Sequence, residues 1–98
     1  MIRVSPVAAS FLRQIYEDSR QPMFNRIAAE VILTDALHRL TKKEREELTV
    51  YCEQGRLIET PIPEPLLEEF KALAGLLKAF RPPEERERIR RRIRMAEG

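Results

Sequence analysis

Cysteine, histidine and long apolar segments are scarce in this sequence, and each scarcity argues against a class of protein. Cys52 is the only cysteine, so no disulfide can form within one chain, as is typical of a reducing cytoplasm. With His38, the only histidine, it provides too few ligands for a structural zinc site. The longest apolar run, residues 72–77, is far shorter than the ~20 residues that span a bilayer. We therefore expect a cytoplasmic protein without a membrane segment, a bound metal or another cofactor.

Residues arranged for catalysis are also scarce. The sequence has no glycine-rich phosphate loop, no HExxH motif and no EF-hand pattern. His38 and Cys52 could form a thiol–imidazole pair, but Cys52 falls on the apolar side of a predicted helix, beside Leu48 and Tyr51. A small thiol in such a position is commonly buried. The sequence therefore predicts a protein that is not an enzyme.

Charge is distributed unevenly along the chain. Residues 1–80 balance eleven Lys and Arg against twelve Asp and Glu, whereas residues 81–98 carry seven Arg against four Glu, a net charge of +3. We expect one domain, with a helical core over residues 1–81 and an arginine-rich C-terminal helix over residues 82–98. The arginines of this helix are candidate contacts for a polyanion or an acidic protein surface; they are Arg86, Arg88, Arg90, Arg91, Arg92 and Arg94.

Helix-start and helix-end signals divide the core domain. Ser5 followed by Pro6 favours a helix start, because serine is a good N-cap and proline fits the first helical position. Thr41 and Glu44 form a capping box that begins another helix, and Gly55 is a natural C-terminal cap for it. These signals, with the apolar periodicity between them, predict an all-α fold, a compact bundle of four to five helices.

A proline-rich connector follows Gly55. It has three prolines in five residues, so the segment cannot be helical throughout; they are Pro61, Pro63 and Pro65. The first residues of the chain, 1–4, alternate in polarity. They could pair with residues 56–60 as a minimal β-ribbon.

The segment over residues 22–40 has two interpretations. Its apolar face changes side halfway, which suits either one central helix with different neighbours or two short helices that meet near residues 33–35. The second arrangement would loosely resemble a helix-turn-helix. The turn of that motif should contain a glycine or a comparable breaker, which this segment lacks, so the pattern favours helices that only pack.

Large apolar residues recur at spacings of four and three in the last part of the core domain. The periodicity predicts a continuous helix–helix contact, which we call the seam; its residues are Leu66, Phe70, Leu73, Leu77 and Phe80. The favoured interpretation is that the seam closes the core of one chain, and the alternative is a homodimer. Ala72, Gly75 and Ala79 form a second face where another backbone could approach closely.

The sequence as a whole favours a non-catalytic function. We expect a small binding or regulatory protein that acts through its helical surfaces on a protein partner. The alternative is a nucleic-acid-binding protein that uses the C-terminal arginines, since guanidinium groups bind phosphate through paired hydrogen bonds. The two functions differ in salt dependence, which is steep only for phosphate binding.

Overall fold

The protein is described by a computed structural model over residues 2–82. Within this range the chain is mostly helical, which confirms the predicted class. Its α-helices are α1 (Pro6–Glu17), α2 (Met23–Leu33), α3 (Lys42–Gln54) and α4 (Leu67–Ala79). Single 3₁₀ turns occupy Leu37–Arg39 and Glu64–Leu66, and two short strands, β1 (Arg56–Leu57) and β2 (Thr60–Pro61), follow α3. The helix predicted for residues 82–98 lies outside the described residues from position 83 onward.

The predicted helix caps are confirmed. The Ser5 hydroxyl accepts a hydrogen bond from the Ala8 amide at 3.1 Å, and Pro6 is the first residue of α1. At the start of α3, the Thr41 hydroxyl accepts from the Glu44 amide at 3.1 Å, and the Glu44 carboxylate accepts from the Thr41 amide at 2.8 Å. Gly55 ends α3 in the left-handed region, at φ 74°. These local contacts set the direction in which α3 leaves the preceding loop.

The segment over residues 22–40 is broken, as the second interpretation expected. α2 ends at Leu33, and Asp35 has a left-handed backbone with φ 53°. The carboxylate of Asp35 accepts a hydrogen bond from the Ile2 amide at 3.0 Å. Only a three-residue 3₁₀ turn, Leu37–Arg39, follows the break. This turn is too short for the recognition helix of a helix-turn-helix.

The predicted β-ribbon between residues 1–4 and residues 56–60 is wrong. β1 pairs with β2 in an antiparallel hairpin, with Arg56 opposite Pro61 and Leu57 opposite Thr60. The local hairpin closes a two-residue loop, made possible by the left-handed backbone of Glu59 at φ 57°, and so costs less chain entropy than a distant pairing. Residues 2–4 lie beside α4 instead, where Ile2 and Val4 line a small cavity with Phe70 and Leu73.

A buried asparagine holds the hairpin against α2. The Asn25 side chain is fully buried; its Oδ1 accepts from the Ile58 amide at 3.1 Å, and its Nδ2 donates to the Ile58 carbonyl at 2.7 Å. Both backbone groups of the turn residue therefore have a partner in the protein interior.

One apolar core joins the helices. α1 packs against α2, and α3 packs against α4. Edge-to-face aromatic contacts connect these pairs, Phe11 with Phe70 at 6.0 Å and Phe24 with Tyr51 at 5.8 Å between ring centroids. No helix among residues 2–82 is long and apolar enough to cross a membrane. The arrangement brings the last turn of α4 beside the first turns of α3, and a groove opens there.

Candidate functional site

The residues of the predicted seam lie inside the molecule. Leu66, Phe70, Leu73 and Leu77 are buried, and Phe80 is half-buried against the core. They pack within one chain, so little of their surface remains for a second chain. The candidate polyanion contacts Arg86, Arg88, Arg90, Arg91, Arg92 and Arg94 lie outside the described residues.

The opposite face of α4 is exposed. Ala72, Gly75 and Ala79 face solvent, and a Cβ atom placed on Gly75 would meet no atom within 4 Å. Leu76, at 49% exposure, is the large side chain beside them. This face is narrow, since most of its residues are small, and Ala72 and Leu76 also line the small cavity beside residues 2–4.

The thiol and imidazole considered for catalysis are placed differently. Cys52 is fully buried, whereas His38 is exposed. Burial, with a smaller contribution from the Glu53 carboxylate, raises the pKa of the Cys52 thiol to about 12. The reactive thiolate is therefore very rare near neutral pH. In the described part of the chain, no cluster of three or more His, Cys, Asp or Glu side chains could hold a metal ion.

A groove that could hold a ligand lies between α3 and the end of α4. Its volume is about 390 Å³. We call it the Arg45 groove; it is lined by Lys42, Arg45, Glu46, Thr49, Val50, Leu77, Lys78, Phe80 and Arg81. Leu77 and Phe80 belong to the seam, so the groove begins where the apolar core reaches the surface.

Arg45 is the unusual residue of this groove, because its side chain is cationic and only 7% exposed. Its Nη1 donates to the Leu40 carbonyl at 2.7 Å, and its guanidinium carbon lies 5.3 Å from the centroid of the Phe80 ring. Leu40 precedes the N-cap of α3, and Arg45 occupies the position where an apolar residue would normally pack against it. A backbone hydrogen bond therefore replaces the usual apolar contact.

Most N–H donors of Arg45 have no protein acceptor among residues 2–82. A guanidinium group has five N–H donors. Among residues 2–82, the Leu40 carbonyl is its only acceptor, and no carboxylate oxygen lies within 4.0 Å of it. In this range, every side-chain nitrogen that is fully buried has a hydrogen-bond partner. The guanidinium nitrogens of Arg45 that have no partner are therefore not fully buried, and they are accessible from the groove that Arg45 lines. They can donate to an acceptor that enters it.

Positive charge predominates around Arg45. The lining contains four cationic side chains and one carboxylate, a net charge of +3, which falls to +2 when the Glu53 carboxylate paired with Lys78 is included. The Arg81 guanidinium donates to the carbonyls of Lys78 and Phe80 at 2.9 Å and 2.8 Å. It is thereby held over the C-terminal end of α4, where a cation is stabilised by the helix dipole.

Apolar surface lies directly beside these charges. Val50 is 49% exposed, and Leu77 and Phe80 form the adjoining wall. A partly desolvated guanidinium binds a carboxylate through short, paired hydrogen bonds. The groove therefore presents one site for an anionic group and a neighbouring site for an aliphatic or aromatic group.

Among the candidate residues predicted from the sequence, only Leu77 and Phe80 line the groove, and the groove itself was not predicted. The polar residue at position 45 was a signal, because the capping box predicts an apolar partner for Leu40 there. The proximity of Arg45 to Phe80 depends on how α4 returns along α3, which no local pattern specifies. Comparison with protein-family models, with curated proteins and with solved structures finds no match to this chain, so a function has to follow from the geometry and charge of the groove.

Proposed function

We propose that this protein is a small non-catalytic binding or regulatory protein whose Arg45 groove binds an acidic segment of a protein partner. In the bound segment a Glu or Asp side chain pairs with Arg45, and a neighbouring Leu or Phe side chain packs on Val50, Leu77 and Phe80. The observation that carries the proposal is the buried guanidinium of Arg45, with one internal acceptor and its remaining donors accessible from the groove.

The energetics of burial support a ligand for Arg45. Removing a cation from water costs several kcal/mol, and a single hydrogen bond to a carbonyl with one ring contact offsets about 2–5 kcal/mol of that. An apolar side chain at position 45 would pack on Leu40 without this cost. The free donors gain most when a carboxylate enters the groove, because the ion pair then forms in a partly desolvated site.

The charge balance of the described residues favours a protein partner over nucleic acid. Residues 2–82 carry twelve basic and twelve acidic side chains, so they have no net charge to attract a polyanion. The excess positive charge is local to the groove, and its apolar wall suits a side chain better than a phosphate backbone. Nucleic-acid binding remains the alternative and would depend on the arginines of positions 86–94.

Selection from a displayed library of random peptides tests the proposal. The full-length protein is the bait, and the Arg45→Met variant serves for counter-selection because methionine keeps the length of the side chain and removes its charge. We expect enrichment of peptides with Glu or Asp within one helical turn of Leu or Phe. Enriched peptides without an acidic residue, or peptides that the variant retains equally well, would contradict the proposal.

Salt dependence separates the two functions. The full-length protein is titrated with an enriched peptide, with single-stranded RNA and with duplex DNA at two salt concentrations. A contact made of one ion pair and apolar packing should weaken little with salt. Binding to duplex DNA through about five phosphate contacts would give a log–log slope of about −4. Tight, steeply salt-dependent nucleic-acid binding with no peptide binding would favour the alternative.

A further inference from the structure

Phe80 belongs to both the charged and the apolar part of the Arg45 groove. Its ring centroid is 5.3 Å from the guanidinium carbon of Arg45, inside the about 6 Å over which a cation is attracted to an aromatic face. The same side chain lines the groove and packs partly against the core. The position of this ring therefore bears on the part of the groove that receives an anion.

The single hydrogen bond of Arg45 does not fix the orientation of its guanidinium. Nη1 donates to the Leu40 carbonyl at 2.7 Å, and this contact holds one nitrogen in place. The planar group can still turn about that contact, and the direction of its other donors changes as it turns. A ring over the guanidinium face removes this freedom, because it restricts the plane of the group. In the described range, Phe80 carries the ring that lies over Arg45.

The end of α4 holds Phe80 in turn. Phe80 follows the last residue of α4 and has an extended backbone, with φ −66° and ψ 134°. The Arg81 guanidinium donates to the carbonyls of Lys78 and Phe80 at 2.9 Å and 2.8 Å, so one group ties the last turn of the helix to the residue after it. Pro82 disfavours helical backbone at Arg81, so the helix cannot continue past this point. The backbone that carries the Phe80 ring is thus fixed beside α3.

We infer that Phe80 is the positioning residue of the Arg45 groove, and that it holds the Arg45 guanidinium in the orientation in which its free donors meet the carboxylate of a partner. The inference rests on the proposed function of the groove. An arginine side chain has many rotamers, so a guanidinium that is ordered before binding avoids an entropy cost when the carboxylate arrives. The ring contacts the face of the guanidinium and the carboxylate its edge, so the two contacts do not compete.

NMR of the ¹⁵N-labelled full-length protein tests the positioning without a partner. The Nε–H signal of Arg45 is assigned by its absence in Arg45→Met, and its heteronuclear NOE reports order on the picosecond-to-nanosecond timescale. We expect an order close to that of the α3 backbone amides in the parent and in Phe80→Tyr, which keeps the ring. Phe80→Leu should lower it to the value of the exposed Arg13. An unchanged NOE in folded Phe80→Leu overturns the inference.

Peptide affinity tests the consequence for binding. The probe is the peptide most enriched in the library selection, compared with the same peptide in which its Glu or Asp is replaced by Gln or Asn. Phe80→Leu should weaken binding of the acidic peptide by about three- to thirtyfold and that of the amide peptide much less, while Phe80→Tyr should match the parent. Phe80→Met takes the place of Phe80→Leu if circular dichroism shows that the leucine variant is unfolded.

Val50→Ala is the matched control for this comparison. Val50 belongs to the apolar wall and is five positions from Arg45 on α3, so its truncation removes apolar surface and leaves the ring over Arg45 in place. It should weaken the acidic and the amide peptide by the same factor. A ring that only contributes apolar surface would give Phe80→Leu this same pattern.

The outcomes distinguish this inference from the proposed function. If the acidic peptide requires Arg45 but Phe80→Leu weakens both peptides equally, the proposed function stands and the inference is wrong. If no peptide binds the parent protein, the proposed function fails, and the inference fails with it because no carboxylate is received. Selective loss of the acidic peptide in Phe80→Leu, together with a lowered NOE at Arg45, supports both.

Discussion

Replacing Arg45 with methionine should change the stability of the protein very little. The variant loses a charge-assisted hydrogen bond to the Leu40 carbonyl, worth about 1.5–3 kcal/mol, and a ring contact with Phe80, worth about 0.5–2 kcal/mol. The variant also avoids the desolvation penalty of a buried cation, which is several kcal/mol, and its methionine gains an apolar contact with Leu40. These terms nearly cancel, so we expect the free energy of unfolding to change by about 1 kcal/mol or less.

Urea denaturation followed by circular dichroism measures this change, with the slope of the transition checked for two-state behaviour. Arg26→Met is the matched control, because the Arg26 guanidinium also donates to a backbone carbonyl, that of Tyr16 at 3.1 Å, but this hydrogen bond is exposed and Arg26 is only partly buried. A loss of more than about 3 kcal/mol in Arg45→Met alone would identify Arg45 as a structural residue. The burial of its charge would then no longer support a ligand site.

Four further predictions concern the fold. Thr41→Ala removes the acceptor of the α3 capping box and should cost about 1 kcal/mol in thermal unfolding. Leu73→Ala, in the core, should cost about 2–5 kcal/mol by urea denaturation. Asn25→Ala leaves the amide and the carbonyl of Ile58 without their hydrogen-bond partner. Each unpaired group costs about 1–3 kcal/mol, so urea denaturation should show a strong loss of stability. The raised pKa of Cys52 means that the unfolded chain loses this proton before the folded one does, so stability should fall by about 2 kcal/mol between about pH 8 and about pH 10.5.

The predictions for Leu73 and Cys52 each have a control variant. Leu76→Ala changes a half-exposed leucine on the same helix as Leu73 and should cost less than about 0.5 kcal/mol. Equal losses in the two leucine variants would mean that the seam is not the core of the monomer. For Cys52, the pH dependence is compared with that of Cys52→Ala, which lacks the titrating group. The interpretation fails if the two curves are parallel above pH 9.

The oligomeric state is a separate test of the exposed α4 face. A stable interface commonly buries about 800 Å² on each partner, and the exposed α4 face around Gly75 offers mainly small side chains for such an interface. Light scattering behind a sizing column should therefore report a monomer mass at micromolar concentration. A dimer that Leu76→Glu dissociates would assign this face to self-association instead.

The features predicted correctly from the sequence depend on interactions between near neighbours. The Ser5 cap, the Thr41–Glu44 capping box and the end of α3 at Gly55 each involve residues within four positions of one another, so the pattern contains all the information needed. The spacing of Leu73 and Leu77 indicates a buried face because the helical period places them on one side. Burial within one chain was the favoured interpretation of that face.

The features that sequence reasoning missed depend on distant contacts. The pairing of β1 with β2 rather than with residues 1–4 reflects the left-handed backbone of Glu59 and the side chain of Asn25, which lies thirty-three positions before Ile58. Nothing in the local sequence of the connector indicates either contact. The groove likewise requires α4 to return beside α3 so that Phe80 meets Arg45. The sequence shows a polar residue at position 45, but it does not show that Phe80 contacts this residue.

The affinity of an enriched acidic peptide for the full-length protein and for its Arg45→Met variant tests the central claim most directly. Fluorescence anisotropy is measured at one salt concentration, with Arg26→Met as the control. Loss of one member of a desolvated charge pair costs about 2–5 kcal/mol, so the Arg45 variant should bind at least about 30-fold more weakly, while the Arg26 control matches the parent. Equal affinity for the parent and for a folded Arg45→Met variant would contradict the claim that this guanidinium receives the partner's carboxylate.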